Sequence, residues 1–262
     1  MRKFLLTAVL VIFAQAASAA SLKQTIDKTF DVRPGAAVSL QNVNGRITVK
    51  AWDQPRVRVI AVKEVEADRD QVQKAMNDLR IDMQPRDGGL VITTHYPNDD
   101  RHGGGGLFGW LLGDHVDAEV TYDLMVPRTM NVDVDNTNGA IILSDVAGKH
   151  NVETTNGSID IKRCAGSLDA ATTNGSIHAE LVRVTKNQPM HFETTNGRIE
   201  VAVPSDFSAE VDASTTNGSI STDLPVATRR IDDNSLRGTI NGGGTVLRLR
   251  TTNGGIAIRK SS

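Results

Sequence analysis

The chain has 262 residues, 39 % of them hydrophobic and 23 % charged, with a formal net charge of −2 and a single cysteine. Mild acidity removes the basic surface on which phosphate-backbone binding depends, so no nucleic-acid partner is expected. One cysteine excludes an internal disulfide, and packing must supply the stability.

Residues 1–19 read as a secretory signal peptide. Arg2 and Lys3 form a positive start, Phe4 to Ala14 an apolar stretch, and Ala17-Ser18-Ala19 a small-residue cleavage site, with cleavage after Ala19 or Ala20. The apolar stretch is shorter than the ~20 residues a membrane-spanning helix needs. Nor does a cysteine follow the cleavage site to take a lipid. These features predict an exported mature chain, periplasmic or extracellular, with no transmembrane segment. Losing Arg2 and Lys3 would move its net charge from −2 to −4.

Residues 20–130 are expected to form a smaller β-rich N-terminal region. Val72, Ala75, Met76 and Leu79 recur at helical spacing and predict one helix near 68–79, with Asp68 as its N-cap. Ile81–Gln84 and Leu90–Tyr96 flank Asp87-Gly88-Gly89 and predict a hairpin. A Gly-rich loop follows at 97–116. There Gly103–Gly106 precedes Leu107, Phe108, Trp110, Leu111 and Leu112. Such an apolar tip either covers an end of the fold or meets a partner. Leu107, Phe108, Trp110 and Leu111 are therefore the candidate partner contact. Burying Phe108, Trp110 and Leu111 would yield roughly 5–8 kcal/mol, which supports at most weak peripheral membrane contact.

From residue 131 to 262 the chain repeats itself. TTNG followed by a residue and isoleucine occurs at Thr154–Ile159, Thr172–Ile177, Thr194–Ile199, Thr215–Ile220 and Thr251–Ile256, with looser copies at Asn136–Ile141 and Asn42–Ile47. Asn138, Asn156, Asn174, Asn196 and Asn217 are spaced by 18, 18, 22 and 21 residues. A period near twenty is the mark of stacked repeats. Alternation around each pair turns Phe192, Thr194, Ile199 and Val201 inward, and Glu193 and Glu200 outward.

Asn-Gly is also the strongest two-residue hairpin signal. A hairpin, however, would set Glu193 against Glu200, Glu153 against Asp160 and Asp169 against Glu180, and like charges directly opposed are destabilising. The pairs are better read as corners between strands on different faces of a coil. Val146-Ala147-Gly148 and Cys164-Ala165-Gly166, one period apart, mark the opposite corner. Stacking would line the asparagines into a ladder. It would also bury seven isoleucines, worth on the order of 10–20 kcal/mol before entropy. The expected fold class is all-β: a parallel β-solenoid, right-handed by the crossover rule, with the smaller β-rich region and its short helix before it. Arg248, Arg250, Arg259 and Lys260 are expected to protect its last edge from aggregation.

On these residues the chain resembles the bacterial putative-adhesin family, a β-strand-repeat domain of formally unknown function found in exported envelope proteins. The resemblance runs from about Phe30 to Ile258. It rests on Gly35–Leu40, Asn44-Gly45-Arg46-Ile47-Thr48-Val49, Val126-Pro127, the array, and the closing GGGTVLRLRTTNGGIAI. It implies a β-solenoid without catalytic residues, acting as an adhesin-like or structural binding module toward an unknown envelope protein or glycan. The 97–116 insertion departs from the family pattern.

Other chemistry finds less support. Asp133, Asp135, Asp145, Asp160 and Asp169 follow ordinary outward alternation, and general acid–base work needs two carboxyls with pKa values pushed apart. A glycan-active enzyme, a lyase or hydrolase on a β-helix scaffold, is the alternative. His95, His102 and His115, with Asp99, Asp100 and Asp114, match no closed zinc pattern. His150, His178 and His191 are expected at solvent-facing or corner positions. The glycine-aspartate run of calcium-binding β-rolls is absent. No metal, cofactor or catalytic residue is therefore assigned. Cys164 is expected to be buried as a small hydrophobe.

Overall fold

The computed structural model describes residues 19–97, 116–183 and 188–261. The candidate contact Leu107, Phe108, Trp110 and Leu111, the signal segment up to residue 18, and His102, His115, Asp99, Asp100 and Asp114 lie outside the described residues.

The strands in chain order are β1 (Ala19–Asp31), β2 (Ala37–Gln41), β3 (Ile47–Trp52), β4 (Arg56–Asp68), β5 (Arg80–Arg86), β6 (Gly89–His95), β7 (Asp117–Pro127), β8 (Asn131–Asn138), β9 (Ile141–Ser144) and β10 (Ala147–Asn156). They continue as β11 (Ile159–Asn174), β12 (Ile177–Arg183), β13 (Met190–Asn196), β14 (Ile199–Val203), β15 (Ala209–Asn217), β16 (Ile220–Thr222), β17 (Val226–Asp232), β18 (Ser235–Ile240), β19 (Thr245–Asn253) and β20 (Ile256–Lys260). One helix, α1 (Val72–Asp78), lies between β4 and β5.

Each Asn-Gly pair except Asn241-Gly242, which links β18 to β19 on one face, is a corner. The strand before it joins one face and the strand after it joins the other, and each pairs in parallel with its counterpart on the next coil. The first face runs β6, β2, β8, β10, the second half of β11, β13, β19, β15. The second runs β7, β3, β9, the first half of β11, β12, β14, β20, β16. The coils are thus the turns of a β-solenoid. Antiparallel strands finish it: β1 and β4 beyond β7, β5 beyond β6, and β18 with β17 beyond β15. The first face therefore begins at the β5–β6 hairpin, whose turn places Asp87 and Gly88 at φ 53° and 78°.

The coils do not stack in sequence order. β19–β20 is inserted between β13–β14 and β15–β16. The charges on Arg248, Arg250, Arg259 and Lys260 therefore do not guard an edge. β17 and the three-residue β16 hold that position instead.

Three rows, two of them inward and one on the surface, explain the repeat. The isoleucines 47, 141, 159, 177, 199, 256 and 220 face one another from coil to coil. All but Ile220, on the last coil, are fully buried. The first threonine of each TTNG is buried, and its hydroxyl donates to a glycine carbonyl of the adjoining coil, as Thr194 does to Gly175 at 2.8 Å. The asparagine side chains form a continuous ladder from Asn44 through Asn138, Asn156, Asn174, Asn196 and Asn253 to Asn217, each Nδ2 donating to the Oδ1 of the asparagine before it at 2.7–2.8 Å. The buried threonine of each motif is thereby satisfied within the protein, as burial demands.

Positive φ accounts for glycine at Gly45, Gly139 and Gly254, but not at the corners between them. Gly157, Gly175 and Gly197 do not hold positive φ. A Cβ on Gly175 would instead overlap the Gly157 carbonyl, and one on Gly197 the Gly175 carbonyl. Close coil-to-coil approach requires glycine here. Left-handed backbone appears at the opposite corner, where Asp145 and Arg163 hold φ 63° and 51° and their side chains join through two hydrogen bonds of 2.8 Å.

Helix α1 is shorter than the sequence suggests. Gln71 occupies the N-cap position but its side chain does not cap the helix, and Asp68 instead ends β4, where its carbonyl accepts the Gln71 N–H. Val72, Ala75 and Met76 pack inward. Beneath them Lys63 lies in the inward row of β4 and donates to the Met76 carbonyl at 2.9 Å and Gln24 Oε1 at 3.1 Å. It supplies a donor to the helix C-terminal end that α1 itself lacks.

Candidate functional site

The outer side of the first face carries one row of polar side chains, a strand apart: Ser39, Asp133, Asn151, Asp169, His191, Arg248 and Asp212. Period two turns them all to solvent because their neighbours on either side point into the core. An open groove of about 800 Å³ lies over the middle of the row, lined also by Asn131, Lys149, Ser167, Gln188 and Pro189.

The two ends of this row are internally bonded. Asp133 accepts from Ser39 at 3.2 Å and from Asn151 Nδ2 at 3.0 Å. Asp212 accepts from Arg237 at 3.1 Å, with Arg248 Nε 4.0 Å away. Asn131 is similarly tied, donating to the Gly35 carbonyl and accepting the Lys149 N–H. Asp169 and His191, adjacent at the centre, have no hydrogen-bond or ion-pair partner among the described residues. Their polar atoms are available to a ligand.

The sequence candidates are dispersed. Asp133 and Asp169 share the groove, separated by the strand of Asn151, which places them about 10 Å apart at ordinary strand spacing. Asp135 lies in the next outward row beside Glu153. Asp160 is on the opposite face, between Ile142 and His178. Asp145 is held by Arg163, which keeps its carboxyl below the usual range. His95 meets Asp82 at 3.1 Å. Among the described residues no cluster of histidine, cysteine and carboxylate could hold a metal.

His150 departs from expectation. It is 2 % exposed, in the inward row between Val132 and Leu168, and neither ring nitrogen has a hydrogen-bond partner of ordinary geometry. Burial lowers its pKa, opposed by the nearby Val146 and Ala165 carbonyls. The signal was present in the sequence, since His150 has the same parity as Val152 and Thr154. Cys164 is buried as expected, which pushes its thiol up to about 11 and leaves it unreactive as a nucleophile.

Across residues 23–259 the chain matches the profile of the Toastrack DUF4097 family. It belongs to that family. The matched span of this Toastrack chain takes in every stretch on which the sequence resemblance rests. Among curated proteins nothing matches it. Solved structures similar to the Toastrack chain include a "putative cell adhesion protein" from Clostridium sporogenes, at 10 % identity and TM-score 0.49, covering 91 % of this chain and 100 % of that one. Another is a "putative adhesin" from Bacteroides fragilis, at 11 % identity and TM-score 0.34, covering 91 % and 97 %. A "putative adhesin" from Parabacteroides distasonis shows 12 % identity and TM-score 0.23, covering 91 % and 97 %. No helix among the described residues is long and apolar enough to cross a membrane.

Proposed function

We propose that this chain is a non-catalytic exported envelope protein, an adhesin-like or structural module that binds an envelope glycan or protein through its solenoid surface. The observation that carries the reading is the polar row, bonded at both ends and open at Asp169 and His191 inside a groove. The backbone beneath is consumed by parallel pairing, so a peptide cannot add there as a strand. Side-chain donors and acceptors one strand apart suit the repeated hydroxyls of a glycan. Export is supported by the leader sequence. The β1–β4 pairing starts at Ala19, so cleavage after Ala19 or Ala20 keeps nearly the whole strand.

The test is binding of the purified protein to isolated envelope glycans, with Asp169→Ala and His191→Ala as variants. Loss of hydrogen bonds to charged groups should weaken binding by about tenfold or more. Unchanged affinity in both variants would remove the groove from the function.

A glycan-active enzyme on this scaffold is the second reading, favoured by Asp133 and Asp169 at a separation near that of inverting glycosidases. Against it, both carboxylates rise from one sheet face, and Asp133 is occupied by Ser39 and Asn151. Glycan turnover abolished by Asp133→Asn or Asp169→Asn would decide for the enzyme.

A further inference from the structure

The eight Asn-Gly pairs of this chain are not chemically equivalent. Asn-Gly is the dipeptide most open to deamidation, because no side chain on glycine hinders its amide nitrogen from reaching the asparagine Cγ. In six pairs that nitrogen is engaged: Gly45, Gly139, Gly157, Gly175, Gly197 and Gly254 each donate to the asparagine carbonyl of the adjoining coil at 2.8–3.0 Å. Engaged and stacked, it cannot swing toward Cγ without breaking the corner.

Gly218 differs because its coil is the last. The amides of Thr215 and Ile220 find the carbonyls of Asn234 and Asp233 at 3.0 and 3.1 Å, but the Gly218 N–H meets no acceptor among the described residues. Asn217, Gly218 and Ser219 are all exposed, whereas Gly157, Gly175, Gly197 and Gly254 are half-buried. Asn217 keeps one rung, donating Nδ2 to Asn253 Oδ1 at 2.8 Å. In the eighth pair the Gly242 amide also meets no acceptor among the described residues, but Asn241 Nδ2 is held by the carbonyls of Phe207 at 2.8 Å and Ser205 at 3.3 Å.

We infer that Asn217 is a modification site, deamidating in the folded protein while the rest of the ladder is protected. A solvent base takes the Gly218 amide proton, the nitrogen bonds to Asn217 Cγ, and the Cγ–Nδ2 bond breaks, releasing ammonia after protonation by water. Water then opens the succinimide at either carbonyl, leaving aspartate or isoaspartate. The carboxylate so formed faces Asn253 Oδ1 with no donor to offer, and the last rung of the ladder is lost.

Trypsin separates the eight pairs into peptides carrying one each, so mass spectrometry can follow them singly in protein aged at mildly alkaline pH. Asn217 is expected to convert at least about tenfold faster than Asn156, Asn174 and Asn196, which must first give up a backbone hydrogen bond. In urea the rates should converge. Equal rates in the folded protein, or an Asn217 that reacts only in urea, would overturn the inference. Asn217→Asp should also melt below wild type and below Asn217→Ser, and a melting temperature equal to that of Asn217→Ser would show that the rung is not what the conversion disrupts.

Discussion

Asn253 Nδ2 donates to Asn196 Oδ1 at 2.8 Å, although 57 residues separate them. Asn217, between them in sequence, lies beyond Asn253 in the stack. The C-terminal coil is thus an interior element. Leu249, fully buried between Phe192 and Ala213, should cost about 2–5 kcal/mol when changed to alanine. Ile220, partly buried on the terminal coil, should cost about 1 kcal/mol. Urea unfolding of the two variants checks the order, and the reverse ranking would contradict the inserted coil.

Gly175→Ala should destabilise the protein by about 1–3 kcal/mol through overlap of its Cβ with the Gly157 carbonyl. Gly35 holds φ 74° with open space around it. There alanine should cost about 1–2 kcal/mol through backbone handedness alone. Crystal structures of the variants distinguish the causes: coils spread at position 175, but spacing is unchanged at position 35.

Burial holds the His150 imidazole below its ordinary pKa. Above about pH 6.5 both folded and unfolded chains carry it neutral, and it contributes no pH dependence. As pH falls below that value the unfolded chain takes up a proton that the fold refuses, so stability declines until the folded pKa is reached. His150→Leu should flatten this acid limb in melting temperatures taken between about pH 7.5 and pH 5. A limb of unchanged slope would assign the acid sensitivity elsewhere.

We propose the Phe108, Trp110 and Leu111 side chains as a further partner contact. Replacing all three with serine should leave the melting temperature near wild type and abolish association with envelope extracts. A collapse in stability with no specific loss of association would make the segment a cap.

Much of this architecture was legible because its determinants are local. The Asn-Gly period, the buried isoleucine and the alternating threonine each follow from one coil's needs, and the clash of Glu193 with Glu200 ruled out the hairpin. The order of coils was not legible. Asn217 to Asn253 spans 36 residues, and nothing local says that β17 and β18 fill the gap as an antiparallel pair while β19 returns to β13. Glycine's role was not legible for a similar reason: the obstacle at Gly175 is a carbonyl on another coil, not its own backbone. The groove was invisible because Asp169 and His191 become neighbours only through the 22-residue period between their coils.

The inserted coil also sets an order of events. A ribosome delivers β13–β14 first, then β15–β16, and only afterwards the β19–β20 segment that belongs between them. Until β19–β20 emerges, the open edges of Met190–Asn196 and Ile199–Val203 have no lasting occupant, and the coil ending at Thr222 has only the β17–β18 pair against it. The chain therefore cannot complete its stack by simple winding from one end. The β19–β20 segment acts as the keystone, and a stop between Thr222 and Thr245 leaves two unmatched surfaces rather than one shortened solenoid.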